Sequence, residues 1–217
     1  MNKLALPDAV LWDMDGTLID QTTSILRCYG EVISKMGYSI PDPQEIKRSL
    51  GGPLSSTLAE FLPADKVEAS KIYFKELFLE YMFEGMVVLP GAMDLIKKLN
   101  NLQIQQAILT NKQGDNARRV MENTQFDKFI AICVGNGDNP YAKPDSLFTK
   151  AVTDQLNQPL DNIVLIGDSP TDALTALNAG HTCYGVCTGS HSLEELKDAG
   201  AAQVFSSISE ITEYWGL

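Results

Sequence analysis

The sequence predicts an α/β fold: a doubly wound parallel sheet carrying an inserted α-helical unit. Three observations predict it. Five short runs, at residues 9–14, 106–110, 130–135, 163–167 and 183–187, are apolar, rich in β-branched side chains and nearly continuous in hydrophobicity. Strands buried on both faces read this way. Helical patterns separate most of the runs, and strand alternating with helix implies parallel strands covered on both sides. Residues 20–86, directly after the first run, hold no convincing strand.

Each element follows in order. The run at 9–14 is the first strand. Ile25, Tyr29, Val32, Ile33 and Met36 then fall at helical spacing, and 67–83 is a long helical pattern rich in Phe, Tyr and Leu. Pro41, Pro43, Gly51-Gly52-Pro53 and Pro63 punctuate the shorter helices between them. A parallel crossover needs only about a dozen residues. Residues 20–86 are therefore read as a helical cap domain, and 1–19 with 87–217 as the core domain. The alternative is a helical excursion packed immovably on the sheet. Pro90-Gly91 opens a helix over 92–99, and helices follow over 115–123 and 144–156. A further helix over 170–179 stops at Gly180, a C-terminal cap residue. Residues 203–205 form a weaker sixth strand.

Composition bounds the function. The chain is 44% hydrophobic and 21% charged, the proportions of a folded soluble protein. Its formal net charge of −11 argues against nucleic acid and anionic lipid as partners. No run is long enough to span a bilayer, and the first residues lack the apolar stretch of a secretory signal. Cys28, Cys133, Cys183 and Cys187 lack CxxC spacing and read as free thiols in a reducing cytoplasm. His181 and His191 lack metal-ligand spacing and receive no role. Monomer and homodimer are both compatible with the sequence.

Four segments could carry chemistry. In the first, a buried strand delivers Asp13 and Asp15 at its carboxyl end, where doubly wound sheets collect ligands. Strand periodicity points both carboxylates to one face, and desolvating two adjacent anions calls for a cation or a proton. Gly16 lets the backbone turn sharply and approach a ligand. The plainer reading is an Asp-Gly turn. In the second, a strand ends in Thr110, Asn111 and Lys112. A Thr hydroxyl and backbone N–H groups at a helix start can hold phosphate, or simply cap the helix. In the third, Pro144 suits the first position of a helix and holds Lys143 in a defined place. A solvated surface lysine is the alternative. In the fourth, a strand ends in Gly167-Asp168, with Asp172 four residues on. Mg²⁺ takes a few carboxylates and keeps several waters, which suits such a pair. The alternative is helix capping by Asp168, with Asp172 satisfying the helix dipole.

The order of these segments resembles the haloacid dehalogenase superfamily. Its signature is DxDGT, a strand ending in Thr or Ser, a Lys, then GDxxxD. Here these are Asp13-Met14-Asp15-Gly16-Thr17, Thr110-Asn111, Lys143-Pro144 and Gly167-Asp168-Ser169-Pro170-Thr171-Asp172. The helical insert follows the first motif, as in the type-1 cap subfamily. Gly51-Gly52-Pro53-Leu54 resembles the cap loop, and Ala199-Gly200-Ala201 with Val204-Phe205 the tail, of phosphoglycolate-phosphatase-like members.

The resemblance implies a Rossmann-like core and an Mg²⁺-dependent phosphatase. Asp13 would be the nucleophile, and Asp15 the general acid and then the base. Gly16, Thr110, Asn111 and Lys143 would hold the transferring phosphoryl group, with Lys143 also counted among the catalytic residues. Gly51 and Gly52 would belong to the specificity loop of the cap. Mg²⁺ would be bound by Asp13, the backbone carbonyl of Asp15, and Asp168, with Asp172 in support. The charges are consistent: Mg²⁺ and Lys143 together neutralise ionised Asp13, Asp168 and Asp172. The expected substrate is a small phosphorylated metabolite. Remaining alternatives are a β-phosphoglucomutase-like phosphomutase, a pyrophosphatase, and a catalytically silent phospho-ligand-binding protein. Mutases usually place an Arg in the cap loop; none lies within 49–56, though Lys47 and Arg48 come just before. Gln21 departs from relatives that often carry Ser after the Asp corresponding to Asp20.

Overall fold

A computed structural model describes residues 6–157 and 160–217. Residues 1–5, part of the segment read as lacking a leader, and residues 158–159 lie outside the described residues. The first strand, β1 (Ala9–Trp12), is fully buried and is followed by a two-residue strand, β2 (Ile19–Asp20). Four helices come next: α1 (Thr22–Lys35), α2 (Pro43–Arg48), α3 (Leu54–Phe61) and α4 (Ala64–Tyr81). The chain re-enters through β3 (Val87–Val88), then α5 (Ala92–Asn101), β4 (Gln105–Gln113) and α6 (Gly114–Thr124). It continues through β5 (Ile132–Asn136), α7 (Ser146–Thr153), β6 (Ile163–Gly167) and α8 (Pro170–Asn178). It ends with β7 (Thr182–Val186), α9 (Leu193–Asp198), β8 (Gln203–Phe205) and α10 (Ile208–Tyr214).

Among the described residues, six strands form one sheet in the order β5-β4-β1-β6-β7-β8, every neighbouring pair parallel. The predicted fold class therefore holds, with the helical insertion α1–α4 between β1 and β4. The chain leaves β1 toward β4 and β5 on one side and returns to β6 on the other. That reversal makes the carboxyl end of β1 a topological switch point, where a crevice opens.

Alternating burial ties the layers together. Val10 and Trp12 of β1 pack into one apolar cluster with Leu95, Leu99 and Val120, whereas Ala9 and Leu11 join Phe148, Val152, Ala173 and Ala176 on the opposite face. That is the period of two expected of a strand covered on both sides. The Trp12 indole donates to Gln106 Oε1 at 3.1 Å, and Gln106 Nε2 donates to the Ile96 carbonyl, so these buried polar groups are satisfied. In the insertion, α1 lies against α4 through Tyr29 and Phe74, whose rings are 4.8 Å apart.

Several expectations need correction. The first strand ends at Trp12 rather than at 14, so Asp13 and Asp15 lie past it and strand alternation does not orient them. Residues 19–20 and 87–88 pair antiparallel, Ile19 with Val88 and Asp20 with Val87, at the mouth of the insertion. Two residues are too few to register as a periodic run. The helix predicted from 144 begins at Ser146, because the Asp145 side chain accepts from Leu147 N at 2.8 Å and caps it. Pro144 stands outside that helix, and the Lys143–Pro144 peptide is cis.

Candidate active site

Two strand ends and a helix start converge at the switch point. β1 supplies Asp13, β6 supplies Asp168, and the first turn of α8 supplies Asp172; all three carboxylates are buried. Their ligand oxygens lie within 4.8 Å of one another. Lys143, on the loop before α7, enters this group from another part of the chain. Its ammonium donates to Asp13 Oδ1 at 2.7 Å and to Asp172 Oδ1 at 2.6 Å.

The local sequence explains the placement. Ser169, not Asp168, caps α8: its hydroxyl accepts from Asp172 N, while Asp172 Oδ2 accepts from Ser169 N and Oγ. That capping box fixes Asp172 Oδ2 and leaves Oδ1 for Lys143. Asp168 is thereby free of capping, and its Oδ1 accepts from the Thr17 hydroxyl at 3.1 Å. Gly16 has φ +85, and a Cβ there would collide with the Asp168 carboxylate. This is the close approach that the DxDGT turn requires.

Electrostatics follow from crowding. Burial raises the Asp13 carboxyl to about 6 against the opposing pull of Lys143. Burial, and then the charges of Asp13 and Asp172, hold the Asp168 carboxyl well above its ordinary value. Burial alone would lower Lys143; Asp13 and Asp172 outweigh it and hold its ammonium above the usual lysine range. Three carboxylates thus share one close ammonium, and the group is short of positive charge. Asp13 Oδ2 and Asp168 Oδ2 accept no hydrogen bond from the described residues. Mg²⁺ takes carboxylate oxygens as ligands, and the three carboxylates gather such oxygens within 4.8 Å. The donor set fits such an ion, with Asp172 already committed to Lys143 and Ser169.

Asp13, Asp15, Gly16, Thr110, Asn111 and Asp168 line one cavity of about 790 Å³ beneath the helical insertion. Gly51 and Gly52, the predicted loop residues, line it from the insertion side. Lys143 and Asp172 do not line it; they back Asp13 from inside. Asp15 stands apart from the other carboxylates and pairs with Lys112, whose ammonium is 2.9 and 2.7 Å from its two oxygens. Asn111 has a different use from the expected one. Its Oδ1 accepts from Lys143 N, and its Nδ2 donates to the carbonyls of Gly51 and Lys143. Its side chain therefore braces the Lys143 loop and the Gly51 loop rather than presenting a free amide. Sequence reasoning gave Lys112 no role; a lysine after a strand end reads equally well as solvated. His191, also passed over, lines the cavity, and its buried Nδ1 has no hydrogen-bond partner among the described residues.

Fold and site together define a doubly wound α/β protein whose acidic centre lies at the carboxyl edge of a parallel sheet, under a helical insertion. The profile of the haloacid dehalogenase-like hydrolases matches residues 10–186, and the chain belongs to that family. It is 26% identical over 223 residues to a phosphoglycolate phosphatase of Rhodospirillum rubrum, covering 98% of this chain and 92% of that one. It is 29% identical over 173 residues to a Caldanaerobacter subterraneus protein named "Putative pyrophosphatase PpaX", covering 79% and 78%. A crystal structure of a "Putative haloacid dehalogenase-like hydrolase" from Bacteroides fragilis superposes with a TM-score of 0.90 at 24% identity, covering 95% of this chain and all of the other. At that identity the likeness establishes the fold alone. Among the described residues, no helix is long and apolar enough to cross a membrane.

Proposed function

We propose that the protein is an Mg²⁺-dependent phosphatase that hydrolyses a small phosphorylated metabolite through a phosphorylated Asp13. The observation that carries this reading is the buried ammonium of Lys143 bridging Asp13 and Asp172, with Asp168 beside them. Lys143 orients the Asp13 carboxylate, one oxygen of which attacks phosphorus. Thr110 and the backbone around it face the phosphoryl oxygens, and Asn111 keeps Lys143 in register. Asp15 donates a proton to the leaving oxygen, then takes one from the water that cleaves the aspartyl phosphate. An Mg²⁺ held by Asp13, the Asp15 carbonyl and Asp168 would neutralise the crowded charge and orient the phosphoryl group.

Residues 20–86 act as the cap and 1–19 with 87–217 as the core, with Gly51 and Gly52 carrying the specificity loop over the site. Among substrates, 2-phosphoglycolate has the support of relatives so named, and pyrophosphate that of one relative. A phosphomutase has less support, since no cationic residue lies within 49–56. The four free cysteines suit a reducing cytoplasm. The test is inorganic phosphate release across a panel of phosphorylated metabolites. Turnover with Mg²⁺ and none with EDTA is expected; turnover unaffected by EDTA, or none on any ester, sinks the reading.

A further inference from the structure

Beside the Lys143 cluster lies a second, separate ion pair. The Lys112 side chain is 5% exposed and clamps both oxygens of Asp15, whose own side chain is 29% exposed at the cavity wall. Three contacts hold the Lys112 ammonium there, and two come from the helical insertion. Gln21 Oε1 accepts from it at 2.6 Å, and the Phe78 ring of α4 has its centroid 5.0 Å away. Gln21 in turn donates to the Met82 carbonyl just past α4 and to Met86 Sδ at 3.8 Å. A buried chain therefore runs from Asp15 through Lys112 and Gln21 to the C-terminal end of α4.

An ammonium on both Asp15 oxygens occupies the place a leaving group needs. For Asp15 to touch the leaving oxygen, Lys112 must swing from at least one carboxylate oxygen into the cavity it lines. A buried cation moves only to another anion or acceptor, because leaving it unpaired is costly. Lys112 has Gln21 on one side, and the cavity on the other.

We propose that Lys112 is the positioning and specificity residue of this site: it orients Asp15, and it is drawn off by a second anion on the substrate's leaving group. Carboxylate and phosphate share the required chemistry. This rests on the phosphatase reading above, in which Asp15 serves the leaving group. A neutral leaving group offers nothing to draw the ammonium away, so Asp15 stays clamped. Such substrates lose kcat as well as affinity, because the penalty falls on the reacting arrangement and not only on binding.

The test uses the full chain with Mg²⁺ and four phosphate compounds: 2-phosphoglycolate, pyrophosphate, ethyl phosphate and p-nitrophenyl phosphate. In the wild type, kcat for at least one of the first two should exceed that for ethyl phosphate by about tenfold or more. Whichever leads identifies the anion as carboxylate or phosphate. Lys112→Met should bring that ratio to within about threefold of unity by loss on the anionic compound, and Lys112→Arg should keep part of it. Should Lys112→Met not fold, Lys112→Gln, which keeps a donor but drops the charge, must show the same collapse. An undiminished ratio in the uncharged variants, or no ratio in the wild type despite turnover of ethyl and p-nitrophenyl phosphate, overturns the proposal. Failure of the wild type to release phosphate from all four compounds would instead overturn the phosphatase reading itself.

Discussion

At the scale of single residues, the site is governed by how few cations serve its carboxylates. Asp13 and Asp168 ionise less readily in the folded chain than in the unfolded one, chiefly because both are buried. The folded state therefore holds more protons, and their contribution to stability falls as pH rises from about 4 through about 6. Asp138, Glu195 and Glu210 shift downward and act in the opposite sense, so the informative quantity is the difference made by metal. Mg²⁺ binds ionised carboxylates and competes with their protons. The rise in melting temperature on adding Mg²⁺ should be small at pH 5 and grow toward pH 7–8. A scanning-fluorescence series checks this; a shift that is constant across the range counts against the cluster as the metal site.

The residue scale also shows what the sequence could and could not reveal. Asp13 and Asp168 were legible because each directly follows a buried strand, and Lys143 and Asp172 because they complete the motifs in a fixed order. Lys112 was not, because its partners Asp15, Gln21 and Phe78 lie far away in sequence and β4 runs on past Thr110 to Gln113 through a register irregularity. Gln21 read only as a departure from relatives; its partners Met82, Met86 and Lys112 are far away in sequence.

At the scale of elements, turns and caps aim the chemistry. The turn after β1 depends on Gly16, whose φ of +85 disfavours other residues and whose missing Cβ admits Asp168. Gly16→Ala should cost about 1–2 kcal/mol of stability through backbone conformation. It should also weaken Mg²⁺ binding by about tenfold or more by displacing Asp168. Urea unfolding and Mg²⁺ titration of phosphate release measure the two effects; an Ala variant with wild-type metal dependence would show that the close approach is dispensable. Strands and long helices were legible from hydrophobic runs, and 203–205 was placed without error. The β2–β3 pair was not, since two residues carry no period. The start of α7 was misplaced because Asp145 outcompetes Pro144 as the start signal.

At the scale of the whole molecule, charge is distributed unevenly. The chain carries a net −11, yet Lys47, Arg48, Lys71, Lys75 and Lys112 gather around the same cavity as Asp13, Asp15, Asp20 and Asp168. Cations gathered around an acidic centre offset its carboxylates and attract small anions locally, while the acidic protein as a whole repels polyanions. For an anionic ester, kcat/KM should therefore fall several-fold between about 0.05 and 0.5 M salt, while kcat changes little. Stopped-time assays at fixed Mg²⁺ check this, and salt-independent kcat/KM would assign those cations to stability instead.

The central claim is that Asp13 becomes phosphorylated, and borohydride trapping during turnover tests it most directly. Protein quenched in the presence of substrate and Mg²⁺, then reduced, should carry homoserine at position 13, detectable by peptide mass spectrometry. The conversion should be absent with EDTA and in Asp13→Asn, which should also lose about 10⁴-fold or more in kcat. Reduction at a different residue, or an Asp13→Asn protein turning over at the wild-type rate, would contradict the account.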